Sequence, residues 1–156
     1  MDLSYLGTMT RRATLSGLAV VACLAASAAF QPTPPPPTVD VWKSPTCGCC
    51  ASWIVHLRAN GFQVVVHDTG DLAGVMAARG VPAALASCHT GTVGGYVIEG
   101  HVPADLIQRM LREHPAIRGL AVPGMPASSP GMDMGHTPYD VLTFDRAGRT
   151  TVYAHR

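Results

Sequence analysis

The apolar residues of this chain recur at strand and helix spacings from residue 39 onward. Residues 39–42 alternate apolar and polar side chains, which predicts a strand, and 62–66 form a β-branched run typical of a buried strand. Between them, residues 50–60 carry apolar side chains at helical spacing and stop at Gly61, which predicts a helix. Strand, helix and strand in this order predict a parallel β-α-β unit.

Four further elements follow before residue 119. Asp71 can cap a helix over 71–79, and Pro103 suits the first turn of another helix that runs to residue 113. The small apolar stretch 83–87 and the residues 95–99 predict two strands, with a glycine-rich turn over 91–95. The resulting order, β-α-β-α-β-β-α, predicts a small α/β sandwich.

The C-terminal part begins with a long segment that has no regular period. Residues 119–137 contain three prolines and no helical or strand pattern, and loops of this length are usually functional or disordered. Residues 141–144 and 150–153 predict a terminal hairpin. We therefore expect an irregular C-terminal extension that ends in two paired strands.

The N-terminus has the organisation of a secretory signal. Arg11 and Arg12 precede an apolar run over 15–29, and Ala26-Ser27-Ala28 is an A-x-A cleavage pattern. The run is shorter than the ~20 residues that span a bilayer. We expect residues 1–28 to be a signal peptide, by the Sec or the twin-arginine route, with a periplasmic product and no transmembrane anchor after cleavage.

A proline-rich linker follows the signal. Residues 29–38 are dense in proline, which fixes φ and predicts a stiff, extended spacer. Cys23 lies in a permissive lipobox, but the residues after it are apolar, whereas a lipoprotein tether is normally polar. A lipid anchor is therefore disfavoured.

Charge and composition narrow the function classes. The chain has 11 Lys+Arg against 10 Asp+Glu, a formal net charge of +1, which offers no electrostatic footprint for nucleic acid. It is rich instead in soft or borderline metal donors, with 5 Cys, 7 His and 7 Met. We expect no nucleic-acid partner. The positions of the Cys, His and Met residues decide whether they bind a metal or only pack in the core.

Three cysteines lie where the first helix is expected to begin. Cys47, Cys49 and Cys50 occupy a C-x-C-C motif, and the helix dipole there favours thiolates. One ion would take two of these sulfurs and leave the third to bridge a second ion. The motif therefore predicts a polynuclear thiolate cluster or a dithiol with a spare exchange partner, and a structural disulfide is the simpler alternative.

Other donors are spread along the chain. Cys88-His89 adds a fourth thiol and an imidazole, and His101 lies between a strand end and a helix start. If the third strand begins at Pro82, a straight strand carries Cys88 ~20 Å from the cysteine motif, unless the chain turns back. His56, on the first helix, is expected to be solvated.

The aperiodic segment holds a second group of soft donors. Met125, Met132, Met134 and His136 lie among proline, glycine and serine residues. Thioethers and imidazole suit Cu(I), and thiolates with thioethers select soft metals. The alternative is a flexible loop that packs its methionines onto the domain.

The chain resembles a family of small exported metal-binding proteins of Gram-negative bacteria that includes CopG-type copper-resistance proteins. The stretches that carry the resemblance are Cys47–Cys50 with Trp53, 87–90, 95–103, 119–126 and 129–132. The resemblance implies a thioredoxin-like fold over 39–118 and a C-terminal extension over 119–156 that helps to bind copper near the cysteines. It also implies a role in copper tolerance, by cycling Cu(I) and Cu(II), and it favours Cys88 as a member of the site.

The predicted function is that of a periplasmic copper protein. Its cofactor or cargo is copper, as Cu(I) in a multi-copper thiolate cluster, and its expected partners are copper ions and other periplasmic copper-export or copper-carrier proteins. The predicted ligands are Cys47, Cys49, Cys50, Cys88, His101, Met125, Met132, Met134 and His136. Two alternatives stay open: a thiol–disulfide oxidoreductase that uses Cys47 and Cys50, with Pro82 as a cis-proline, and a disulfide-stapled interaction module. The residues do not decide whether the protein is an enzyme.

Overall fold

Within residues 34–156, seven strands and three helices follow one another in the order that the sequence pattern predicts as far as residue 118. The computed structural model describes residues 34–156, so the predicted signal peptide and the start of the linker lie outside the described residues. The strands are β1 Thr38–Lys43, β2 Gln63–Asp68, β3 His89–Val93, β4 Tyr96–Gly100, β5 Gly119–Val122, β6 Asp140–Phe144 and β7 Thr150–His155. The helices are α1 Gly48–Ala59, α2 Leu72–Arg79 and α3 Ala104–Glu113, with a 3₁₀ turn at Ala83–Leu85.

All seven strands join one mixed sheet with the order β2-β1-β3-β4-β5-β6-β7. β1 and β2 are parallel, and β3 runs antiparallel to both β1 and β4. β5 is parallel to β4, and β6 and β7 form the terminal hairpin that the pattern predicts. The α/β prediction is confirmed, and the C-terminal strands continue the same sheet.

Apolar side chains cover both faces of this sheet. Trp53 of α1 and Ile107 of α3 pack with Ile98 and Leu120 in the larger cluster, and all four are fully buried. The neighbouring strand residues point the other way, into a second cluster that contains Phe144. Because all four residues of β5 are buried, this strand shows no alternation, and the sequence pattern missed it.

The third strand lies later in the chain than the sequence predicts. Residues 83–85 form the 3₁₀ turn instead of a strand, and β3 begins at His89. Glycine at position 91 hides the strand pattern, although Gly91 pairs with both Val41 and Ile98. Only Gly94 and Gly95 form the tight turn, with φ of 56° and 86°.

Two other features bear on the predictions. Every peptide bond between residues 34 and 156 is trans, so Pro82 is not the cis-proline that the oxidoreductase alternative expected. Within the same range, no helix has the length and apolar character needed to cross a membrane.

Candidate metal centre

The cysteine motif forms the N-terminal end of α1. The chain leaves β1 at Lys43, turns, and enters the helix at Gly48. Cys47 is the N-cap, and its Sγ accepts a hydrogen bond from the Cys50 N–H at 3.3 Å. The first turn has no acidic residue, so the helix dipole acts on these sulfurs without a competing side-chain charge. The local sequence thus places thiols where thiolates are stabilised.

Four sulfurs meet at this helix end. The Sγ atoms of Cys47, Cys49, Cys50 and Cys88 all lie within 4.8 Å of one another. Cys47 and Cys50 form a disulfide with a Cα–Cα distance of 5.4 Å, and Cys49 and Cys88 are free thiols. Cys49 Sγ lies 3.5 Å from Cys47 Sγ, within reach for exchange.

Cys88 reaches the motif because β3 begins one residue after it. β3 runs antiparallel to β1, and His89 pairs with Lys43 at the end where β1 enters the cysteine turn. A strand that starts at Pro82 would rise ~3.3 Å per residue and carry Cys88 ~20 Å away. This expectation is wrong, because Cys88 precedes the first residue of β3. The start of β3, rather than a reversal at its far end, brings the fourth thiol in.

A second donor group shares Cys88. Cys88, His89 and His101 place one ligand atom each within 4.8 Å of the others. Cys88 Sγ lies 3.4 Å from His89 Nδ1 and 3.1 Å from His101 Nε2. The two groups together bring four cysteine sulfurs and two imidazoles to one place, with Cys88 common to both.

His89 is the donor that the predicted ligand set omitted. Its side chain is fully buried, its ring centroid lies 4.2 Å from that of Trp53, and among residues 34–156 its Nε2 has no hydrogen-bond partner. A buried nitrogen without a partner is costly and fits an imidazole prepared for a ligand. The signal in the sequence was its position next to Cys88.

His101 is oriented by the C-terminal loop. Its Nδ1–H donates to the Pro130 carbonyl at 2.8 Å, which leaves the Nε2 lone pair directed at Cys88 Sγ. Hydrogen bonding at the second ring nitrogen commonly fixes the tautomer of a metal-binding histidine. Burial lowers the pKa of His101, so the imidazole favours its neutral, ligating form.

The ionisation of the other donors follows from the same burial. Desolvation, and then the nearby His101, lowers the pKa of His89 to about 3. Desolvation, and then the adjacent Cys49, raises the pKa of Cys88 to about 12. Without a cation the pocket therefore holds a neutral imidazole and a protonated thiol, and a bound cation would favour the thiolate.

The methionine loop, residues 125–136, touches the site through its backbone. At Gly131, with φ of 86°, an added Cβ would lie 2.6 Å from Trp53 N and 3.1 Å from the Cys49 carbonyl oxygen. The loop therefore packs directly on the first turns of α1. Met132 follows as a half-buried residue, while Met125 and Met134 are 40% and 66% exposed.

His136 lies elsewhere on the loop. It is exposed and lines a cavity of about 310 Å³ with Tyr139 and Arg156, and it belongs to neither donor group among the described residues. The structure thus brings together all four predicted cysteines and His101. The loop backbone adjoins them, and ligand roles for the methionines and His136 stay predictions.

His56 is not a solvated surface histidine. It is half-buried, and its Nε2 accepts a hydrogen bond from the Ala104 N–H at 3.1 Å, so it caps the start of α3. Burial lowers the pKa of His56, which keeps the ring neutral and able to accept. This bond links α1 to the helix that begins just after His101.

Comparisons with known proteins agree with this geometry. Residues 85–132 match a family described as a protein of unknown function, DUF411. Two solved structures, described as forms 1 and 2 of the copper resistance protein CopG, are 46% and 45% identical, with TM-scores of 0.73 and 0.74. Each match covers 78% of this chain and 98% of the other chain.

The chain belongs to the CopG-type copper-resistance family. The resemblance drawn from the motifs is therefore confirmed. The 85–132 segment of this family member contains Cys88, His89 and His101, and it ends at Met132 of the methionine loop. No curated protein matches the chain.

Proposed function

We propose that this protein binds Cu(I) in a polynuclear thiolate site and serves copper resistance in the periplasm. The observation that carries the proposal is the convergence of Cys47, Cys49, Cys50 and Cys88 within 4.8 Å. The two related structures are described as copper resistance proteins, which supports copper as the metal. Copper ions are here the cargo or substrate of the protein.

The donor set fits a soft, monovalent metal. Thiolates and thioethers select Cu(I) over hard cations, and the two neutral imidazoles add borderline nitrogen donors. One ion would take two of the three motif sulfurs, and the third motif sulfur and Cys88 would then be free to bind a second ion. Since Cys88 belongs to both donor groups, it is the natural bridging thiolate between ions.

The Cys47–Cys50 pair gives this site a redox option. Reduced, both sulfurs are available as ligands. When they oxidise to the disulfide, two thiols lose two electrons and two protons, and two Cu(II) ions accept the electrons to become two Cu(I). Interconversion of Cu(I) and Cu(II) is thus within the chemistry of the site, with copper-carrier proteins as the partners that deliver or remove the ions.

The decisive experiment is an anaerobic Cu(I) titration of the fully reduced chain. We expect more than one tightly bound ion per chain for the wild type and a lower number for Cys49→Ser. His114→Asn is the control, because it removes an exposed donor side chain that belongs to neither donor group. Tight binding of one ion or none, or an unchanged count in Cys49→Ser, would contradict the cluster.

The disulfide itself favours one alternative, thiol–disulfide exchange. Cys47 and Cys50 form a C-x-x-C disulfide at a helix start, where low-pKa thiols are typical. Cys49, 3.5 Å from Cys47 Sγ, would offer a competing exchange partner. Efficient reduction of insulin disulfides by the reduced chain, without tight Cu(I) binding, would favour this alternative over the copper function.

A further inference from the structure

One acidic side chain lies in the core beside the donor groups. Glu99 on β4 is fully buried, and it forms no ion pair with any residue in the range 34–156. Removing a carboxylate from water without a cation is expensive, so its environment must compensate. Its partners show what the carboxylate does there.

Both carboxylate oxygens are used within one short stretch of chain. Oε1 accepts from the Ser87 N–H at 2.7 Å, and Oε2 accepts from the Thr90 hydroxyl at 2.8 Å. Residues 87 and 90 flank Cys88 and His89. The carboxylate therefore hydrogen-bonds to the chain on both sides of the shared thiol and the buried imidazole. With both oxygens engaged, Glu99 is not itself a member of either donor group.

Glu99 also lies two residues before His101, the third donor of the group that contains Cys88 and His89. Glu99 pairs with Thr90 across β3 and β4, and the chain continues through Gly100 to His101. At Gly100, with φ of 69°, an added Cβ would lie 2.6 Å from both Ser87 Oγ and the Val122 carbonyl oxygen. The end of β4 and the entry to β3 are therefore packed together at this point.

We propose that Glu99 is a positioning residue that holds Cys88 and His89 in line with His101 and the cysteine motif. It acts through hydrogen bonds to the backbone and to Thr90, and it does not bind the metal. The consequence for copper rests on the proposed function, whereas the placement of the Cys88 thiol is a property of the metal-free protein.

Three substitutions separate geometry from charge. Glu99→Gln keeps an oxygen that can accept from the Ser87 N–H and an amide that can donate to the Thr90 oxygen, and it removes the charge. Glu99→Ala removes both bonds. Thr90→Val removes one bond and retains the side-chain shape, and Glu113→Gln, at an exposed carboxylate on α3, is the control for loss of an acidic residue.

The metal-free readout is the iodoacetamide alkylation rate of Cys88 in the reduced full-length chain, mapped by mass spectrometry. We expect at least a tenfold increase in Glu99→Ala, a smaller increase in Thr90→Val, and rates within twofold of wild type in Glu99→Gln and Glu113→Gln. Circular dichroism and thermal unfolding report whether each variant is folded. If Glu99→Ala does not fold, Thr90→Val carries the test.

The copper readout is the Cu(I) count and the thiolate-to-Cu(I) charge-transfer spectrum. We expect Glu99→Ala or Thr90→Val to shift the spectrum towards that of Cys88→Ser, and Glu99→Gln to restore it. If Glu99→Ala folds and its Cys88 is alkylated at the wild-type rate, the positioning role is overturned. If only Thr90→Val folds, the same result in that variant overturns it. Faster alkylation in a chain whose wild type binds no copper would uphold the positioning role and reject the proposed function.

Discussion

Cys88 is the residue on which the two donor groups depend. Its Sγ lies within 4.8 Å of the three motif sulfurs and, separately, of His89 and His101. Burial raises the pKa of this thiol to about 12, so the metal-free residue is protonated at neutral pH. Any soft metal that uses this sulfur must first displace a proton.

The proton on Cys88 should be released when copper binds. We expect Cu(I) binding to the reduced chain to release more protons than binding to Cys88→Ser, by about one per chain at pH 7, since the thiol must ionise to bind. A pH-stat titration measures the count, and His114→Asn, at an exposed histidine outside both donor groups, serves as the control. Equal proton release in Cys88→Ser and wild type would show that Cys88 binds no metal.

Two buried groups give opposite pH dependences of stability. The pKa of His89 is lowered to about 3. Between pH 6.5 and 3 the unfolded chain therefore binds a proton that the folded chain does not bind, and stability falls as the pH drops through this range. Burial raises the pKa of Glu99 to about 7, so the folded chain keeps a proton that the unfolded chain loses, and stability falls as pH rises from 4.5 towards 7. Between pH 4.5 and 6.5 the two contributions cancel.

Glu99→Gln removes one of these contributions. We expect the free energy of unfolding of the reduced, metal-free variant to rise with pH more steeply than that of wild type, by about 1.4 kcal/mol per pH unit between pH 4.5 and 6.5. Urea denaturation at several pH values measures the slopes, with Glu113→Gln as the surface control. Parallel slopes for wild type and Glu99→Gln would contradict a raised Glu99 pKa.

At the scale of elements, the site is a junction between the start of α1, the start of β3 and the methionine loop. Helix α1 presents the motif cysteines because Cys47 caps it. The loop is held there from two sides, by the bond from His101 to the Pro130 carbonyl and by the contact of Gly131 with the backbone of α1. Half-buried Met132 and exposed Met125 and Met134 are therefore carried on an anchored segment.

The loop prediction concerns its thioethers. We expect the triple substitution of Met125, Met132 and Met134 by Leu to lower Cu(I) affinity or change the charge-transfer spectrum, because leucine keeps the apolar volume and removes the soft donor. Met110→Leu, on the buried face of α3, is the matched control. Unchanged affinity and spectrum in the triple variant would indicate that the loop methionines only pack.

At the scale of the whole molecule, the C-terminal strands complete the core. β5 pairs with β4, and Leu120, Val122 and Val141 are fully buried in the cluster that contains Trp53. Fully burying such a side chain contributes about 1.5–3 kcal/mol. Since a domain is stable by only about 5–15 kcal/mol, residues 119–156 are expected to be required for folding.

Truncation tests this dependence. We expect a chain that ends at Arg118 to lose cooperative urea unfolding, because it exposes the apolar surface that β5 and β6 cover. A chain that ends at Arg149 loses only β7, which is largely exposed, and should keep a cooperative transition at lower urea. Cooperative unfolding of the shorter chain near the wild-type midpoint would contradict the prediction.

The sequence by itself determined the features that depend on neighbouring residues. The helix that begins at the cysteine motif, the capped helix α2, the terminal hairpin and the grouping of Cys47, Cys49 and Cys50 all follow from local spacing. The third strand was misplaced because Gly91 obscures its pattern, and β5 was missed because both of its faces are buried.

Only the tertiary structure decided which distant donors meet. Cys88 joins the motif because β3 pairs antiparallel with β1 from His89 onward, and His101 joins because β4 returns beside β3. Burial then determines chemistry that no local pattern contains: the unpartnered nitrogen of His89 and the carboxylate of Glu99. Contact and desolvation depend on strand register, and register is a property of the whole sheet.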